Sequence, residues 1–473
     1  MTDVRDEVIA DLRRIIAEQA KTIARLEARI VELEARLGVN SSNSSKPPSS
    51  DPPATPPRPP RRPSGKKRGG QRGHKKHERT LLPPEQVTST RPIKPPHCRC
   101  CGNELHGDDP APYRHQVVEV PKVRPTVAEY QLHSRFCERC KIFTRGQLPK
   151  GVPTGNFGPR LQAIVSVCSG AYRMSKRAVE ELVQDFFGVD VSLGSIANLQ
   201  QSTSDAVAEP VDELALAMRK EPIVHADETG WYERSKRAWL WVAVTAQIAV
   251  FLVRKSRGAD VAKELLGGAF GGILISDRWS AYAWVDVVRR QLCWAHLLRQ
   301  FRGFQDHGPE GRSIGRALEL LTEFMFHHWH RVRDGTLSRQ EFVGLMDRLR
   351  PHVVARLHEG AQCGAAKVAG RCRKILALEP ALWTFVRMAG VEPTNNTAER
   401  AVRHGVLWRK GSFGTDSPAG SRFVERILTV VTTLRLQKRN VLDYVTEACA
   451  CARNGQRPPS LLPVEDAIVA KAA

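Results

Sequence analysis

Three apolar runs between residues 222 and 294 decide the fold: PIVHAD (222–227), AWLWVAVTAQIAVFLV (238–253) and GILISD (272–277). Within each run, apolar residues either alternate with polar ones or continue without interruption over the length of a strand, which predicts buried strands. The second run is long enough for two strands. The helical patterns ADVAKELLG and SAYAWV flank the third run, and RRQLCW is a last short strand. The predicted order is therefore three strands, helix, strand, helix, strand. This order is typical of an antiparallel meander extended by parallel strands through helical crossovers.

Three acidic residues stand at special places in this pattern. Asp227 closes the first run, Asp277 closes the third, and Glu399 lies near the start of an amphipathic helix, NNTAERAVR (395–403). The first and fourth strands are neighbours in the expected ribonuclease H-like sheet, so these carboxylates can converge. Their hard oxygen atoms suit Mg²⁺ or Mn²⁺. Two such ions about 3.5–4 Å apart would clamp the attacking and leaving oxygens of a phosphodiester.

The same residues also allow a purely structural interpretation. An Asp after a strand is often a turn residue. Asn396 and Glu399 fit a capping-box variant, with Arg403 paired to Glu399 one turn later. The composition favours the functional interpretation, because 72 Lys and Arg against 50 Asp and Glu give a net charge of +22 and a pI near 9.9. Such a balance is expected of a protein that binds a polyanion, and nucleic acid is the favoured one.

A membrane partner is not expected. The N-terminus, MTDVRDEVIADLRR, is charged from its start and lacks the apolar centre of a signal peptide. The longest largely apolar run, residues 238–253, is interrupted by Thr245 and Gln247 and is shorter than the ~20 residues that span a bilayer. We therefore expect a cytoplasmic protein.

The N-terminal segment predicts a coiled coil over residues 5–38. Ile9, Ile16, Ile23, Ile30 and Leu37 recur every seven residues, and Leu12, Leu26 and Leu33 supply most of the second seam. β-Branched residues at one seam and Leu at the other favour two parallel strands, so we expect a homodimer or a higher oligomer. Packing of this helix on its own chain is the alternative.

Residues 39–80 predict a disordered Ser/Pro linker that passes into a basic run, KKRGGQRGHKKH. Glycines among these cations would let the backbone approach phosphates, and the sign of the run matches that of the whole chain. A solvated, disordered tract is the alternative. The candidate DNA contacts here are Lys66, Lys67, Arg68, Arg72, Lys75 and Lys76.

Residues 91–150 predict a zinc-ribbon-like module. Cys98 and Cys101 form one Cys-x-x-Cys pair and Cys137 and Cys140 form another, a four-thiolate set suited to structural Zn²⁺. His97 and Cys100 could each compete for a ligand position, and free cysteines are the alternative. Two strands within residues 113–136, turning near Pro121, would return the second pair to the first.

Two further segments are helical. Residues 157–220 predict a helix-turn-helix-like domain, with Arg173, Lys176 and Arg177 as phosphate contacts if it docks on DNA; an ordinary three-helix unit is the alternative. Residues 308–390 predict a helical insertion with a cap at Ser338 and Glu341. In CWAH, Cys293 and His296 could be a second metal pair, but packing against the sheet is the favoured role, because two ligands without evident partners do not close a metal site.

Several motifs together resemble a known family, the DDE transposases of bacterial insertion-sequence family sixty-six. They are the heptad helix leading into NSSNSSKPPSSD, then GGQRGHKKH, the paired cysteines, HADETGWY, SDRWSAY, CWAHLLRQF and TNNTAERAVR. The chain departs from the family pattern at GQRGHKKH, where GQPGHKGH is expected, and at GSFGTDSPAG after WRK. The resemblance implies that Asp227, Asp277 and Glu399 are the metal-binding catalytic triad of a ribonuclease H-like core. It also implies small accessory proteins encoded by the same element.

The resulting prediction is a multidomain α/β protein. Its predicted core occupies residues 221–307 and 391–456, and a flexible tail follows over residues 457–473. The predicted function is cleavage of the element's own ends and joining of the 3′-hydroxyls to target DNA, with two Mg²⁺ or Mn²⁺ ions per site. A dimeric DNA-binding regulator and a nuclease without strand transfer are the alternatives. Basic residues beside Glu399 would hold phosphates: Arg400, Arg403, Arg409 and Lys410.

Overall fold

The computed structural model of the protein describes residues 4–37, 40, 79–152 and 155–463. Contacts divide these residues into two units, one within residues 56–125 and one comprising the rest. Each unit is described by itself below. The predicted contacts from Lys66 to Lys76 lie outside the described residues.

The predicted N-terminal helix is present as α1, Val4–Leu37. Its apolar side chains at Ile9, Leu12, Ile16, Ile23, Leu26 and Ile30 each expose between 45% and 63% of their surface. A stripe of this kind is stable in water only when another helix covers it, so dimerisation through α1 stays a prediction. No helix among the described residues has the length and apolar content needed to cross a membrane.

The first cysteine pair lies in the unit within residues 56–125. A short 3₁₀ helix, Pro84–Gln86, precedes it, and His97 and Glu104 form an isolated antiparallel bridge around the turn. The second pair lies in the other unit, on a hairpin of β1, Ser134–Cys137, and β2, Ile142–Arg145.

The hairpin predicted within residues 113–136 is wrong. Strand β1 begins only at Ser134, and its partner β2 follows it rather than preceding it. Val117, Val120 and Val127 expose 76–91% of their surface. Because these alternating apolar side chains are exposed, their burial does not compensate the conformational entropy lost in ordering two long strands there.

The predicted order of strands and helices from residue 222 onward is confirmed. Strands β3 to β7 form one mixed sheet in the order β5-β4-β3-β6-β7. The pairs β3–β4 and β4–β5 are antiparallel, whereas β3–β6 and β6–β7 are parallel. The strand bounds are β3 Ile223–Glu233, β4 Lys236–Val244, β5 Ala249–Arg254, β6 Ile273–Ser276 and β7 Arg290–Leu292.

Helices cover both faces of this sheet. Four helices precede the sheet, α2 Pro159–Gly170, α3 Lys176–Phe187, α4 Leu193–Ala206 and α5 Ala208–Met218. A fifth, α6 Ala259–Leu266, links β5 to β6. The remaining helices are α7 Trp294–Phe304, α8 Gly308–Arg333, α9 Arg339–Gln362, α10 Ala366–Leu376, α11 Thr384–Arg387, α12 Asn396–Ser412, α13 Pro418–Leu436 and α14 Val441–Arg453. Short 3₁₀ helices span Ser280–Tyr282, Val287–Arg289 and Glu379–Leu382.

Alternation along β4 separates the two faces, as period two requires. Leu240 and Val242 pack against Ala398 and Val402 of α12. Trp241 and Ala243 point the other way, into the core shared with α5, α6, α13 and α14. The sheet is thereby buried on both sides, and α12 lies directly over its centre.

The helices predicted in residues 157–220 are confirmed; the structure shows Ser175 and Ser192 as the caps of α3 and α4, and α3 ends at Gly188 in the left-handed conformation. Their packing differs from the prediction of a separate domain. α2, α4 and α5 contribute Val167, Ala206 and Leu214 to the main core. This segment therefore shares its core with the sheet, because its apolar surface is too wide for α3 alone to cover.

The segment predicted as a helical insertion forms its own apolar cluster. α7 to α11 pack around Phe301, Phe342 and Phe385 and meet the sheet at β6 and β7. The predicted capping box is confirmed: Ser338 accepts the Glu341 backbone N–H, and Glu341 accepts the Ser338 backbone N–H. Residues 457–463, part of the predicted flexible tail, are also held, since Leu461 is fully buried and Tyr444 donates to the Pro459 carbonyl.

Gly405 sets how closely α12 approaches the sheet. A Cβ there would overlap Cδ2 of Leu240, which is fully buried, whereas a Cβ at Gly411 on the same helix meets nothing within 4 Å. We predict that Gly405→Ala destabilises the protein by about 1–3 kcal/mol, because overpacking displaces the helix or the strand. Gly411→Ala is the control and should stabilise by roughly 0.5–1 kcal/mol. Urea unfolding measures both, and equal stability of the two variants would contradict the close approach.

The apolar stripe of α1 predicts the oligomeric state. Ile16→Asp/Ile23→Asp should shift the full chain from an oligomer to a monomer in sedimentation experiments, because charges at the seam prevent helix pairing. Ala17→Asp/Ala24→Asp adds the same two charges one position along the helix, away from the seam, and should leave the oligomer intact. The prediction fails if the seam variant retains the wild-type mass.

Candidate active site

Strand register brings Asp227 and Asp277 together. β3 and β6 run parallel, with Val224 opposite Leu274 and His225 opposite Ile275. Each aspartate lies two residues beyond the last of these pairs, at the same end of adjacent strands, so their side chains leave the same face of the sheet. One detail of the prediction is wrong: β3 does not end at Asp227 but continues to Glu233, paired with β4 and, at Glu233, bridged to Thr415.

Glu399 reaches the same place from α12. Asn395, just before this helix, joins three elements. Its Nδ2 donates to the Ala226 carbonyl at 2.7 Å, its Oδ1 accepts from His225 Nδ1 at 3.2 Å, and its backbone N–H donates to Cys293 Sγ at 3.2 Å. Asn395 is buried, so these bonds fix the start of α12 beside the strand that carries Asp227.

The capping-box interpretation of Glu399 is wrong. The N-cap is Asn395, and its side chain makes no capping bond because it is engaged with β3. Glu399 Oε1 forms an ion pair with Arg299 Nη2 at 3.7 Å and lies 3.4 Å from His296 Nδ1, both on α7, and its partner is not Arg403. Glu399 thus points toward α7 rather than back along its own helix, and it remains near enough to Asp227 to raise the pKa of that residue.

The pKa of Asp227 reflects the proximity of these carboxylates. Burial raises the pKa of Asp227 well above its usual range, and repulsion from Glu228, Asp277 and Glu399 raises it further. Burial also raises the pKa of Asp277, opposed by the Trp279 backbone N–H and by the nearby Arg257, Arg290 and Arg278. Carboxylates that repel one another in this way are typical of functional sites.

Glu228 is adjacent to Asp227 in sequence but has a different role. Its Oε1 accepts from Arg257 Nε at 3.0 Å and Nη2 at 2.8 Å, and its Oε2 accepts from the Tyr282 hydroxyl at 2.7 Å. Arg257 is itself stacked between the rings of Trp239 and Trp279, 4.5 and 3.8 Å from their centroids. Both carboxylate oxygens of Glu228 are therefore occupied, and it braces the segment that follows Asp277.

The free oxygens fit a divalent cation. Glu399 Oε1 is buried and has no hydrogen-bond partner among the described residues. Asp227 accepts only the Glu228 backbone N–H, at 2.9 Å, among the bonds the structure gives it. A cation at this position would relieve both the repulsion and the unsatisfied oxygen, and oxygen ligands of this kind suit Mg²⁺.

The predicted phosphate contacts differ in exposure and in whether their side chains already contact the protein. Arg400, Arg403 and Lys410 are exposed on α12. Arg409 donates to the Gly230 carbonyl of β3 and is half-buried, so part of its guanidinium already holds protein. Lys176 and Arg177 are exposed, whereas Arg173 contacts His404 Nδ1 at 3.3 Å.

Each cysteine pair has the local form of a thiolate turn. The Cys101 and Cys100 backbone N–H groups lower the pKa of Cys98, and the Cys140 and Arg139 backbone N–H groups lower the pKa of Cys137. Such bonds favour the thiolate that a metal requires. The pairs belong to different units, so a shared zinc site stays a prediction.

Sequence reasoning missed several residues that shape the site. Arg257 and Tyr282 carry no motif signal apart from their positions near HADE and SDRWSAY. Asn395 was visible only as the first letter of the helix pattern. Cys293 and His296 were expected to lack a third partner, yet the structure brings their ligand atoms and a Glu399 oxygen within 4.8 Å of one another.

Comparisons with known proteins agree with this geometry. A family model described as "Transposase IS66 family" matches residues 154–422, which contain all three acidic residues. A second, "Family of unknown function (DUF6444)", matches residues 2–80. The chain is similar to two uncharacterized proteins of Sinorhizobium fredii (strain NBRC 101917 / NGR234). y4qI is 26% identical over 55% of this chain and 53% of its own, and y4hP is 24% identical over 76% and 71%. The chain thus spans about half the length of y4qI.

The raised pKa of Asp227 predicts a pH-dependent stability. Below about pH 4, the ordinary pKa of Asp, the carboxyl is protonated in both the folded and the unfolded chain. As pH rises, the unfolded chain ionises freely, whereas burial and repulsion oppose ionisation in the folded chain, so the free energy of unfolding falls. We predict that Asp227→Asn unfolds a few degrees higher than wild type at pH 8 without added divalent ions, and that this gain vanishes near pH 4.

Thermal unfolding across this pH range measures the difference. Asp347→Asn, an exposed residue of α9, is the control and should not change the pH profile. Added Mg²⁺ should raise the unfolding temperature of wild type more than that of Asp227→Asn. A wild type that is the more stable of the two at pH 8 without divalent ions would contradict convergence of the carboxylates.

Proposed function

Because the chain belongs to the IS66 family of transposases, we propose that it cuts DNA at the ends of its own insertion sequence and joins the freed 3′-hydroxyls to target DNA. The observation that carries the proposal is the convergence of Asp227, Asp277 and Glu399, two from adjacent parallel strands and one from the helix across them. We assign these three residues as the catalytic acids of a ribonuclease H-like core.

Asp227, Asp277 and Glu399 would hold the divalent ions, Mg²⁺ or Mn²⁺, that the chemistry requires. When bound, such ions lower the pKa of an attacking hydroxyl and offset charge on the leaving oxygen. The fit rests on the repulsion at Asp227 and on Oε1 of Glu399, which is buried and accepts no hydrogen bond from the described residues. Glu228 is left out of this set because both of its oxygens are already bonded.

The proposed reaction has two phosphoryl transfers in one site. In the first, a water oxygen attacks the phosphorus at the element end and gives up a proton, the P–O3′ bond breaks, and the leaving 3′-oxygen takes a proton. In the second, that 3′-hydroxyl oxygen attacks a target phosphorus and gives up its proton, the target P–O3′ bond breaks, and the leaving target 3′-oxygen takes a proton. Bonds made and broken balance in each step, so no redox partner is required.

The surrounding residues position rather than react. Asn395 holds the start of α12 against β3, and the bond from His225 orients its amide. Burial lowers the pKa of His225 to about 4, so this ring is neutral near pH 7 and suits a fixed hydrogen-bonding role. Displacement of Glu399 by as little as ~1 Å would cost roughly 100-fold in rate, which explains the density of these contacts.

The charge distribution supports DNA as the substrate. The chain carries +22, and exposed cations lie on α12 beside Glu399, at Arg400, Arg403 and Lys410. Contacts of this kind hold phosphates and set register without reading sequence. The basic run from Lys66 to Lys76 and the exposed Lys176 and Arg177 extend the proposed DNA contacts, with Arg173 and Arg409 nearer the protein interior.

Assembly and metals complete the proposal. α1 would pair two or more copies, the four cysteines Cys98, Cys101, Cys137 and Cys140 would bind structural Zn²⁺, and small accessory proteins of the same element would act with the chain. A DNA-binding regulator would need none of the catalytic carboxylates. A nuclease on the same fold would cut but never join strands.

A cleavage assay tests the catalytic assignment. On duplex DNA carrying the element's terminal repeat, Asp277→Asn and Glu399→Gln should each reduce Mg²⁺-dependent nicking by at least roughly 100-fold, since even supporting residues of metal sites cost 10–100-fold. Asp347→Asn is the matched control and should nick at the wild-type rate. Nicking that persists in either site variant, with DNA binding unchanged, would sink the assignment.

A joining assay separates the transposase from its alternatives. Supplied with a pre-cleaved 3′ end and a plasmid target, the wild type should form a covalent joint that Asp277→Asn does not. Nicking without joining would indicate a nuclease. Binding without either reaction, and without a Mg²⁺ requirement, would indicate a regulator.

A further inference from the structure

A second set of potential metal ligands lies beside the proposed catalytic acids. Cys293 is the N-cap of α7 and His296 lies in its first turn, three residues later, so both face the same side of the helix. Glu399 approaches that side from α12. The Cys293 sulfur, a His296 ring nitrogen and a Glu399 oxygen all lie within 4.8 Å of one another.

Two of these atoms are buried and unsatisfied. His296 Nδ1 and Glu399 Oε1 are 3.4 Å apart, yet neither has a hydrogen-bond partner of acceptable geometry among the described residues. Buried polar atoms almost always have a hydrogen-bond partner, so two facing atoms without one require an explanation. A cation between them would satisfy both lone pairs at once.

The sulfur is prepared in the manner of a metal-bound thiolate. The Asn395 backbone N–H donates to Cys293 Sγ at 3.2 Å. Cys293 is also the N-cap residue of α7, so its sulfur lies at a helix N-terminus, where backbone N–H groups favour negative charge. N–H bonds to a ligating sulfur are typical second-sphere contacts, and they orient it toward the ion.

We infer that Cys293, His296 and Glu399 form a binding site for a transition-metal ion of the Zn²⁺ or Co²⁺ class. Sulfur and imidazole nitrogen select such ions over Mg²⁺, which prefers oxygen alone. Ligand atoms around a tetrahedral ion lie roughly 3.3–3.8 Å apart, so closure needs at most ~1 Å of side-chain movement. Three protein ligands leave a fourth position open, as in zinc sites that bind water or substrate.

This site is distinct from the proposed Mg²⁺ site but shares Glu399 with it. An ion held by Cys293 and His296 would draw the Glu399 carboxylate toward α7 and away from Asp227. Zn²⁺ would then compete with Mg²⁺ for one residue. The inference concerns metal binding alone and stands whether or not the chain joins DNA strands.

Cobalt absorption tests the site on the full-length protein without DNA. Co²⁺ bound to a thiolate gives an intense near-ultraviolet band and, in tetrahedral geometry, visible bands. The two cysteine pairs upstream can also bind Co²⁺, so the readout is the difference between wild type and Cys293→Ser at each Co²⁺ addition. We expect this difference to show one thiolate-bound Co²⁺ per chain, and Zn²⁺ to displace it.

The controls separate ligation from folding. His296→Gln should weaken the same band at least 10-fold in affinity, since loss of one of three ligands leaves a poor site. Cys372→Ser, at another buried cysteine on α10, should leave the band unchanged. Circular dichroism confirms that each variant is folded. A wild type whose Co²⁺ spectrum equals that of folded Cys293→Ser, or a band unaffected by His296→Gln, would overturn the inference.

Discussion

Repulsion between buried carboxylates is the constraint on which the rest of this structure depends. Asp277 and Glu399 lie close enough to Asp227 for each to raise its pKa, at a position where burial already disfavours the charged form. Such an arrangement costs stability unless something compensates it. The surrounding contacts hold the acids in place against this cost, and a bound cation would remove it.

Two groups of contacts resist the repulsion. On one side, Glu228, Arg257 and Tyr282 tie β3 to the segment after Asp277, with Arg257 stacked between two tryptophans. On the other side, Asn395 bonds to β3 and to Cys293, and Gly405 lets α12 lie close on β4. The first group joins residues 29 and 54 positions apart, and the bonds of Asn395 join residues more than 100 positions apart, which makes the site a product of the whole fold rather than of any one motif.

The sequence predicted the sheet well because local pattern was enough. β4 alternates cleanly between faces, and the caps at Ser175, Ser192 and Ser338 act within one turn. It predicted the separate helical domain and the hairpin after Tyr113 less well, since both depend on which apolar surface is available elsewhere. Burial of α2 and α4 against α13 and α14, and exposure of Val117 and Val120, follow from tertiary packing that no local pattern contains.

The candidate site shows the same division. The strand order makes Asp227 and Asp277 neighbours only if the sheet is ribonuclease H-like, and it is the register of β3 and β6 that brings them to the same end of adjacent strands. Glu228 could not be separated from Asp227 by sequence, because the distinction lies in Arg257 and Tyr282, residues 29 and 54 positions away. The sequence around Glu399 fits a capping box. The bond from Asn395 Nδ2 to the Ala226 carbonyl explains why no capping box forms, because it holds the N-cap side chain against β3.

Proton release on metal binding would show whether the three acids bind one ion. If they form one divalent-ion site, Mn²⁺ must displace protons held by the raised pKa values of Asp227 and Asp277. Calorimetric titration near pH 6.5, in two buffers of different ionisation enthalpy, measures the protons released per ion. The account predicts net release in the wild type that is lost, together with most of the affinity, in Asp277→Asn. Mn²⁺ binding without proton release, or binding that Asp277→Asn leaves unchanged, would contradict it.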